Sequence, residues 1–375
     1  MSDVFIVDAI RTPIGRGKSD GALHSVHPVD LLAKTLEALM ARARVDKGEV
    51  EDIVAGCVTA NGEQGTNIGR LAGLKAGFPV EVPALQLNRF CGSGQQAIHF
   101  AAQAIAAGDM EMAIGCGVES MSRVPMGSDA AITDHFRAGF PCQLLHQGVS
   151  AEMIAAKWGV GREELDEFAA ESHIRAAAAQ RTGWTQCETF TVNDLEVDEG
   201  VRSNPDLAKM RALKPVFQSD GVITAANSSQ ISDGAAAVLL ASGHKADELG
   251  LRKRARIVAR AVVGSDPELM LTGPIPATQK ALAMAGLRVE DMDAFEINEA
   301  FAAVPLVWAR EIRPPMDRLN IQGGAIAHGH PLGATGAVLM TKLVNILERT
   351  GGRYGLQSMC IGFGMATATI IECLN

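Results

Sequence analysis

The strongest limit on this chain's fold is a recurring order of segments: a short apolar run, a glycine turn, then helical periodicity. Ala84 to Arg89 alternates like a strand, and Phe90-Cys91-Gly92-Ser93-Gly94 interrupts it. A helix follows with Ala97, Ile98, Ala101, Ala102 and Ile105 on one face, and Met110 to Cys116 then reads as a buried strand. Strand, turn, helix and strand in that order build layered α/β folds. Upstream, Val4 to Ala9 is a strand-like run closed by the turn Arg11-Thr12-Pro13-Ile14-Gly15. Val29 to Ala43 is helical, and Ile53 to Thr59 is an apolar strand.

A similar order returns after Ser242. Ala255 to Val263 reads as strand, Ala277 to Gly286 as helix, Ala294 to Asn298 as strand and Glu299 to Arg310 as helix. A glycine-rich loop then feeds a long helix from Ala334 to Arg349. Gln357 to Ile361 and Met365 to Cys373 form a closing strand pair around Gly362-Phe363-Gly364. Two ends so alike predict a duplicated α/β domain, although the residues themselves do not repeat. The stretch 121–218 is more polar and irregular, with one clear helix from Glu163 to Arg181, and reads as an insertion carried on the first unit.

Composition narrows the class. A chain of 375 residues can bury a large core. A formal charge of −9 argues against a general nucleic-acid or anionic-membrane surface. No apolar run is long enough to span a bilayer, and Met1-Ser2-Asp3-Val4-Phe5-Ile6 enters a strand without the marks of a signal peptide. The seven cysteines lack C-x-x-C pairs, so reduced cytoplasmic thiols are expected rather than a zinc site or a disulfide framework.

Four places could carry chemistry. Cys91 lies where a strand meets a helix, and a helix N-terminus favours thiolate; the plain alternative is a buried structural cysteine. The loop Asn320 to Gly333 holds four glycines with His328 and His330, which suits proton transfer, or simply imidazoles bonded to the loop backbone. A His-x-His pair without a third ligand is weak evidence for metal, and none is expected. Cys360 ends an apolar strand. Asn298 ends another, where it could cap a helix.

Taken together, these residues resemble the thiolase family. The blocks are Asn88-Arg89-x-Cys91-Gly92-Ser93-Gly94, Asn298-Glu299-Ala300-Phe301, Gly323-Gly324-Ala325-Ile326-Ala327-x-Gly329-His330-Pro331 and Cys360-x-Gly362-x-Gly364, in the family's order. Glu119-Ser120-Met121-Ser122 and Thr224 to Gln230 add to the match. The resemblance implies an α/β, five-layered αβαβα thiolase fold with two similar halves, about 1–245 and 246–375. An inserted loop domain near 121–225 would cover coenzyme A.

It also implies roles. Cys91 would carry the acyl group, His330 would take its proton, and Cys360 would exchange the α-proton of the acetyl unit. His330 with a water held by Asn298 would form one oxyanion hole, and the backbone N–H groups of Cys91 and Gly362 the other. Arg202 and Ser229 match contacts to coenzyme A, which is a substrate here rather than a permanently bound cofactor. Phe217, Phe301 and His146 match residues lining the pantetheine channel. Independently, Val201 to Lys214 holds two arginines and two lysines against one aspartate, which suits a phosphate-bearing ligand.

The chain also departs from the family. Phe363 and Ala366 stand where glycines are common, Ala226 replaces a usual glycine, and His328 fills a position that is usually apolar. The wording Asn227-Ser228-Ser229-Gln230 favours a degradative 3-ketoacyl-CoA thiolase over biosynthetic acetoacetyl-CoA formation. Cys91 to Gln96 and Gly62-Glu63-Gln64 point toward bulky or branched acyl chains. A short insertion before His146 favours a homodimer over a tetramer, alone or in a complex with other β-oxidation enzymes. A decarboxylating synthase would lack Cys360, and a silent acyl-CoA-binding protein would not need all the reactive positions.

Overall fold

The computed structural model describes residues 2–130 and 132–374. The first part of the chain runs β1 (Val4–Arg11), β2 (Gly15–Arg16), α1 (Pro28–Ala43), β3 (Asp52–Gly56), α2 (Ile68–Lys75), β4 (Ala84–Leu87), α3 (Ser93–Ala107) and β5 (Met112–Ser120). The insertion carries α4 (Asp134–Ala138), α5 (Gln147–Trp158), α6 (Arg162–Arg181) and α7 (Leu207–Arg211), before β6 (Ser232–Ser242) and α8 (Gly243–Glu248). The last part runs β7 (Ala255–Gly264), α9 (Pro274–Ala285), β8 (Ala294–Ile297), α10 (Ala303–Ile312), α11 (Ala325–His328), α12 (Leu332–Thr350), β9 (Tyr354–Ile361) and β10 (Met365–Cys373).

Strand order shows the duplication more clearly than the residues do. The order β3-β5-β6-β1 in the first half is matched by β8-β9-β10-β7 in the second. The directions match as well: β3 with β5 and β8 with β9 are parallel, and the other pairs within each set are antiparallel. The halves meet where β1 pairs β7 at only Phe5↔Arg256 and Ile6↔Ala255. Helix α12 packs on α3 and on strands of both halves, so these two helices form the middle layer. Helix α1 covers the other face of the first half and α9 that of the second, giving five layers.

Three elements differ from the sequence expectation. Strand β6 is buried at every position, with Ala235, Ala237, Leu239 and Ala241 facing one core and Ala236, Val238 and Leu240 the other. A strand covered on both faces shows no alternation, so its alanine-rich run carries no period-two signal. Helix α10 begins at Ala303 rather than Glu299, because residues 299–302 turn to form the site. The insertion also holds a second full helix, α5, which the irregular composition hid. No helix among the described residues is long and apolar enough to cross a membrane.

The middle layer brings the chemistry together. Cys91 lies two residues before α3 and His330 two residues before α12, so the duplication sets both at equivalent helix starts. The helices cross with almost no space between them. A Cβ on Gly94 would stand 2.7 Å from the Gly333 carbonyl oxygen, and one on Gly336 would overlap the Gln95 backbone nitrogen. Glycine is the residue that permits this approach.

Candidate active site

The cysteine turn is held by its own residues. Phe90 sits at φ +45, a conformation that non-glycine residues rarely adopt, and its N–H donates to Asn88 Oδ1 at 2.7 Å. Ser93 Oγ accepts the Arg89 N–H at 2.8 Å and donates to the Phe90 carbonyl at 2.6 Å. These bonds fix Cys91, which is 3% exposed, at the mouth of α3. Burial pushes its thiol up to about 11, opposed by the Gln147 side chain and by the N–H groups of Cys91 and Gly362. The undisturbed group is therefore a thiol that needs a base.

The imidazole of His330 has a defined tautomer. Thr335 Oγ1 donates its one hydrogen to the Pro331 carbonyl at 2.8 Å, so it can only accept from His330 Nδ1, 2.6 Å away. The proton is thus on Nδ1, and Nε2 carries the lone pair. Asn298 Nδ2 lies 3.3 Å from Nε2. Burial lowers His330 to about 4, so the ring is neutral at physiological pH and able to accept a proton.

Cys360 completes the group. Burial raises its thiol strongly, the neighbouring Cys91 adds to that, and the Asn298 side chain and Ala300 N–H oppose it. Asn298 therefore bridges His330 and Cys360, and Gly362 joins Cys91 to the turn after Cys360. Asn298 Oδ1 is buried without a protein partner.

The contacts of other residues here gave no signal in the sequence. Glu119, fully buried, accepts from Val58 N–H (2.9 Å), Thr59 N–H (3.0 Å), Gln64 Nε2 (2.8 Å) and Gly333 N–H (2.8 Å). It ties the first half to the opening turn of α12. Its block matched the family motif, yet one carboxylate with four donors cannot be read from spacing. Thr335 and Gln147 were likewise legible only in three dimensions.

His328 turns away from the reacting groups. Its Nδ1 lies 3.0 Å from the Gly329 carbonyl and its Nε2 3.4 Å from Lys342 Nζ. Lys342, 1% exposed, also donates to Glu296 Oε2 (3.0 Å) and the Gly323 carbonyl (2.6 Å), so the three acceptors use its three hydrogens. Burial and the Lys342 charge push His328 well below 6.5. The unfolded chain takes a proton near 6.5 that the folded chain refuses, so this residue's contribution is whole above that value and lost as pH falls. His328→Leu should therefore gain on the natural protein by about 1.4 kcal/mol for each pH unit below 6.5. Paired melts from pH 7 to 5 test this: a constant difference in Tm would contradict it.

The matched coenzyme A residues are also gathered. His146 stacks on Phe217 with centroids 5.0 Å apart, and Phe217 meets Phe301 edge-on at 6.0 Å. The Ser229 N–H donates to the Ala300 carbonyl at 2.9 Å. Gln230 Nε2 donates to the Gly200 carbonyl at 3.2 Å, which sets the exposed Arg202 beside this segment. The basic run is less free than its composition implied: Arg211 pairs with Glu163 at 2.6 Å and Lys209 with Asp206 at 3.4 Å. Phe363, at φ +59, packs its ring edge-on against Phe90 at 5.5 Å, so two aromatic rings flank the cysteine turns.

A duplicated, layered α/β chain that gathers a buried thiol, a neutral imidazole and a second thiol at two crossed helix starts is built for thiol-based acyl chemistry. Residues 4–244 match the family model for the thiolase N-terminal domain, and 251–373 that for the thiolase C-terminal domain. The chain belongs to the thiolase family, whose members are acyltransferases. It is 47% identical to the steroid 3-ketoacyl-CoA thiolase FadA6 of Mycobacterium tuberculosis, covering 100% of this chain and 95% of that one. It is 44% identical to a 3-ketoacyl-CoA thiolase of Vibrio vulnificus, over 99% and 100%. Human mitochondrial 3-ketoacyl-CoA thiolase in complex with CoA superposes with a TM-score of 0.92 at 36% identity, over 100% and 98% of the two chains.

Proposed function

We propose that this protein is a degradative 3-ketoacyl-CoA thiolase, which cleaves a 3-ketoacyl-CoA with CoA into acetyl-CoA, or propionyl-CoA, and a shortened acyl-CoA. The observation that carries the reading is His330, neutral with its lone pair on Nε2 and joined through Asn298 to a buried group that holds two thiols. Cys91 gives its proton to Nε2 and its sulfur attacks the 3-keto carbon. The bond between C2 and C3 breaks, and Cys360 protonates C2 as acetyl-CoA leaves. His330 then passes its proton to the Cys360 thiolate and takes the proton of the incoming CoA thiol, whose sulfur displaces Cys91, and His330 returns that proton to Cys91. The N–H groups of Cys91 and Gly362 suit the oxyanion on the acyl carbon. Asn298 with its unpartnered Oδ1 suits a water that, with His330, holds the enolate oxygen.

The halves 1–245 and 246–375 and the cover at about 121–225 belong to this reading. The row His146, Phe217 and Phe301 suits the pantetheine arm, and exposed Arg202 beside Ser229 suits the phosphates of CoA. A cytoplasmic homodimer is the assembly we favour. Strand β4 ends the sheet, and Leu71, Leu74 and Leu85 beside it are exposed, which suits pairing with a second copy.

The test is acyl trapping. A 3-ketoacyl-CoA added without free CoA should place its acyl mass on Cys91 and release acetyl-CoA, and added CoA should discharge it. Acyl mass on another cysteine, or none at all, would overturn the reading. A substrate series from acetoacetyl-CoA to bulky branched chains then measures how far the Phe90–Phe363 pair limits the acyl group.

A further inference from the structure

We propose that Gln147 is a further catalytic residue, whose carboxamide N–H donates to the sulfur of Cys91 and holds it as thiolate once His330 has taken the proton. The proposal rests on the reading of Cys91 as nucleophile. It assigns to the insertion a part in the chemistry as well as in covering the substrate.

Gln147 is the first residue of α5. Its neighbour His146 caps that helix, accepting the Gly148 N–H at Nδ1 (3.1 Å), so the Gln147 side chain has no capping duty. His146 faces Phe217 in the aromatic row, while the Gln147 carboxamide reaches the cysteine turns. Its Nε2 lies 3.1 Å from where a Cβ on Gly362 would stand. Gly362 is not among the glycines with positive φ, so its backbone does not demand glycine. A Cβ there would crowd the Gln147 carboxamide, which would have to give by a few tenths of an ångström, and would stand in ordinary contact 3.9 Å from the Phe90 ring. The bare Cα of Gly362 thus leaves room for the Gln147 carboxamide where the turn after Cys360 meets Phe90, the residue before Cys91.

The chemistry needs such a donor. The sulfur is buried, and burial together with the Glu119 carboxylate disfavours its charged form. Three donors oppose this: the N–H groups of Cys91 and Gly362, and the Gln147 side chain. A hydrogen bond to a charged group is worth more than one to a neutral group, so these donors favour the thiolate over the thiol. The titratable groups around the sulfur are Cys360 and Glu119, with His330 joined to Cys360 through Asn298, and Gln147 is the one donor among the three that substitution can remove.

Two variants test it in the full-length protein. Gln147→Met keeps length and removes the donor; Gln147→Glu keeps shape and sets an acceptor beside the sulfur. The readouts are carboxamidomethylation of Cys91 against pH, followed on its peptide by mass, and single-turnover acylation by acetoacetyl-CoA. Alkylation at pH 7 should slow about tenfold in the Met variant and further in the Glu variant. The alkylation profile should move to higher pH in the same order, with KM for CoA changed less than about twofold. Equal profiles in Gln147→Met and the natural protein would overturn the proposal. So would a Glu variant that matches the natural protein while Met falls, since shape alone would then explain the effect. If the natural protein forms no acyl-Cys91, the nucleophile reading fails and the proposal with it.

Discussion

Cys91→Ala should lower thiolysis by roughly four orders of magnitude or more and take up no acyl mass, because the sulfur that receives the acyl group is gone. Cys360→Ala should fail differently. Without its thiol the C2 carbanion has no acid, so cleavage of a 3-ketoacyl-CoA falls by roughly two to four orders of magnitude. Exchange of an acyl group between acyl-CoA and Cys91 breaks no carbon–carbon bond. That exchange should survive in Cys360→Ala and vanish in Cys91→Ala, and isotope exchange between labelled CoA and acetyl-CoA measures it without C–C cleavage. If Cys360→Ala loses exchange as completely as cleavage, the two thiols do not divide the work as proposed.

The proposed division of labour was partly legible in the sequence. Cys91, His330, Cys360 and Asn298 each sit at the end of an apolar run or in a glycine-rich loop, and their order along the chain named the family. What the sequence hid depends on contacts across the chain. The tautomer of His330 is decided by Thr335, five residues away along α12, through one hydroxyl hydrogen already given to Pro331. Gln147 looked like part of an irregular insertion, because helix α5 is short of the apolar stripe that would have revealed it. Strand β6 was lost for the opposite reason, being apolar on both faces. Periodicity reports elements with one wet face, so it fails at the most buried strand. His328 was seen as a departure without a purpose; its partner, Lys342, lies on α12.

The last prediction concerns what holds Cys91 and His330 in one place. Gly336 is an interior residue of α12 with ordinary helical backbone, where alanine in an isolated helix would gain about 1 kcal/mol. Here the added methyl overlaps the Gln95 backbone nitrogen and stands 2.8 Å from its Cα, so no rotamer can relieve it and the helices must part. Gly336→Ala should therefore cost about 3 kcal/mol or more, against the propensity gain. Gly161→Ala is the control: a Cβ there meets nothing within 4 Å, and the change should cost a few tenths of a kcal/mol. The active site should suffer beyond the loss of stability, because α3 begins beside Cys91 and α12 beside His330. A displacement near 1 Å at such a crossing can cost about a hundredfold in rate. Folded Gly336→Ala, tested well below its Tm, should thus acylate far more slowly than Gly161→Ala at equal folded concentration. Full acylation in a destabilised Gly336→Ala would mean that the helix crossing serves stability alone and that Cys91 and His330 are aligned by their own loops.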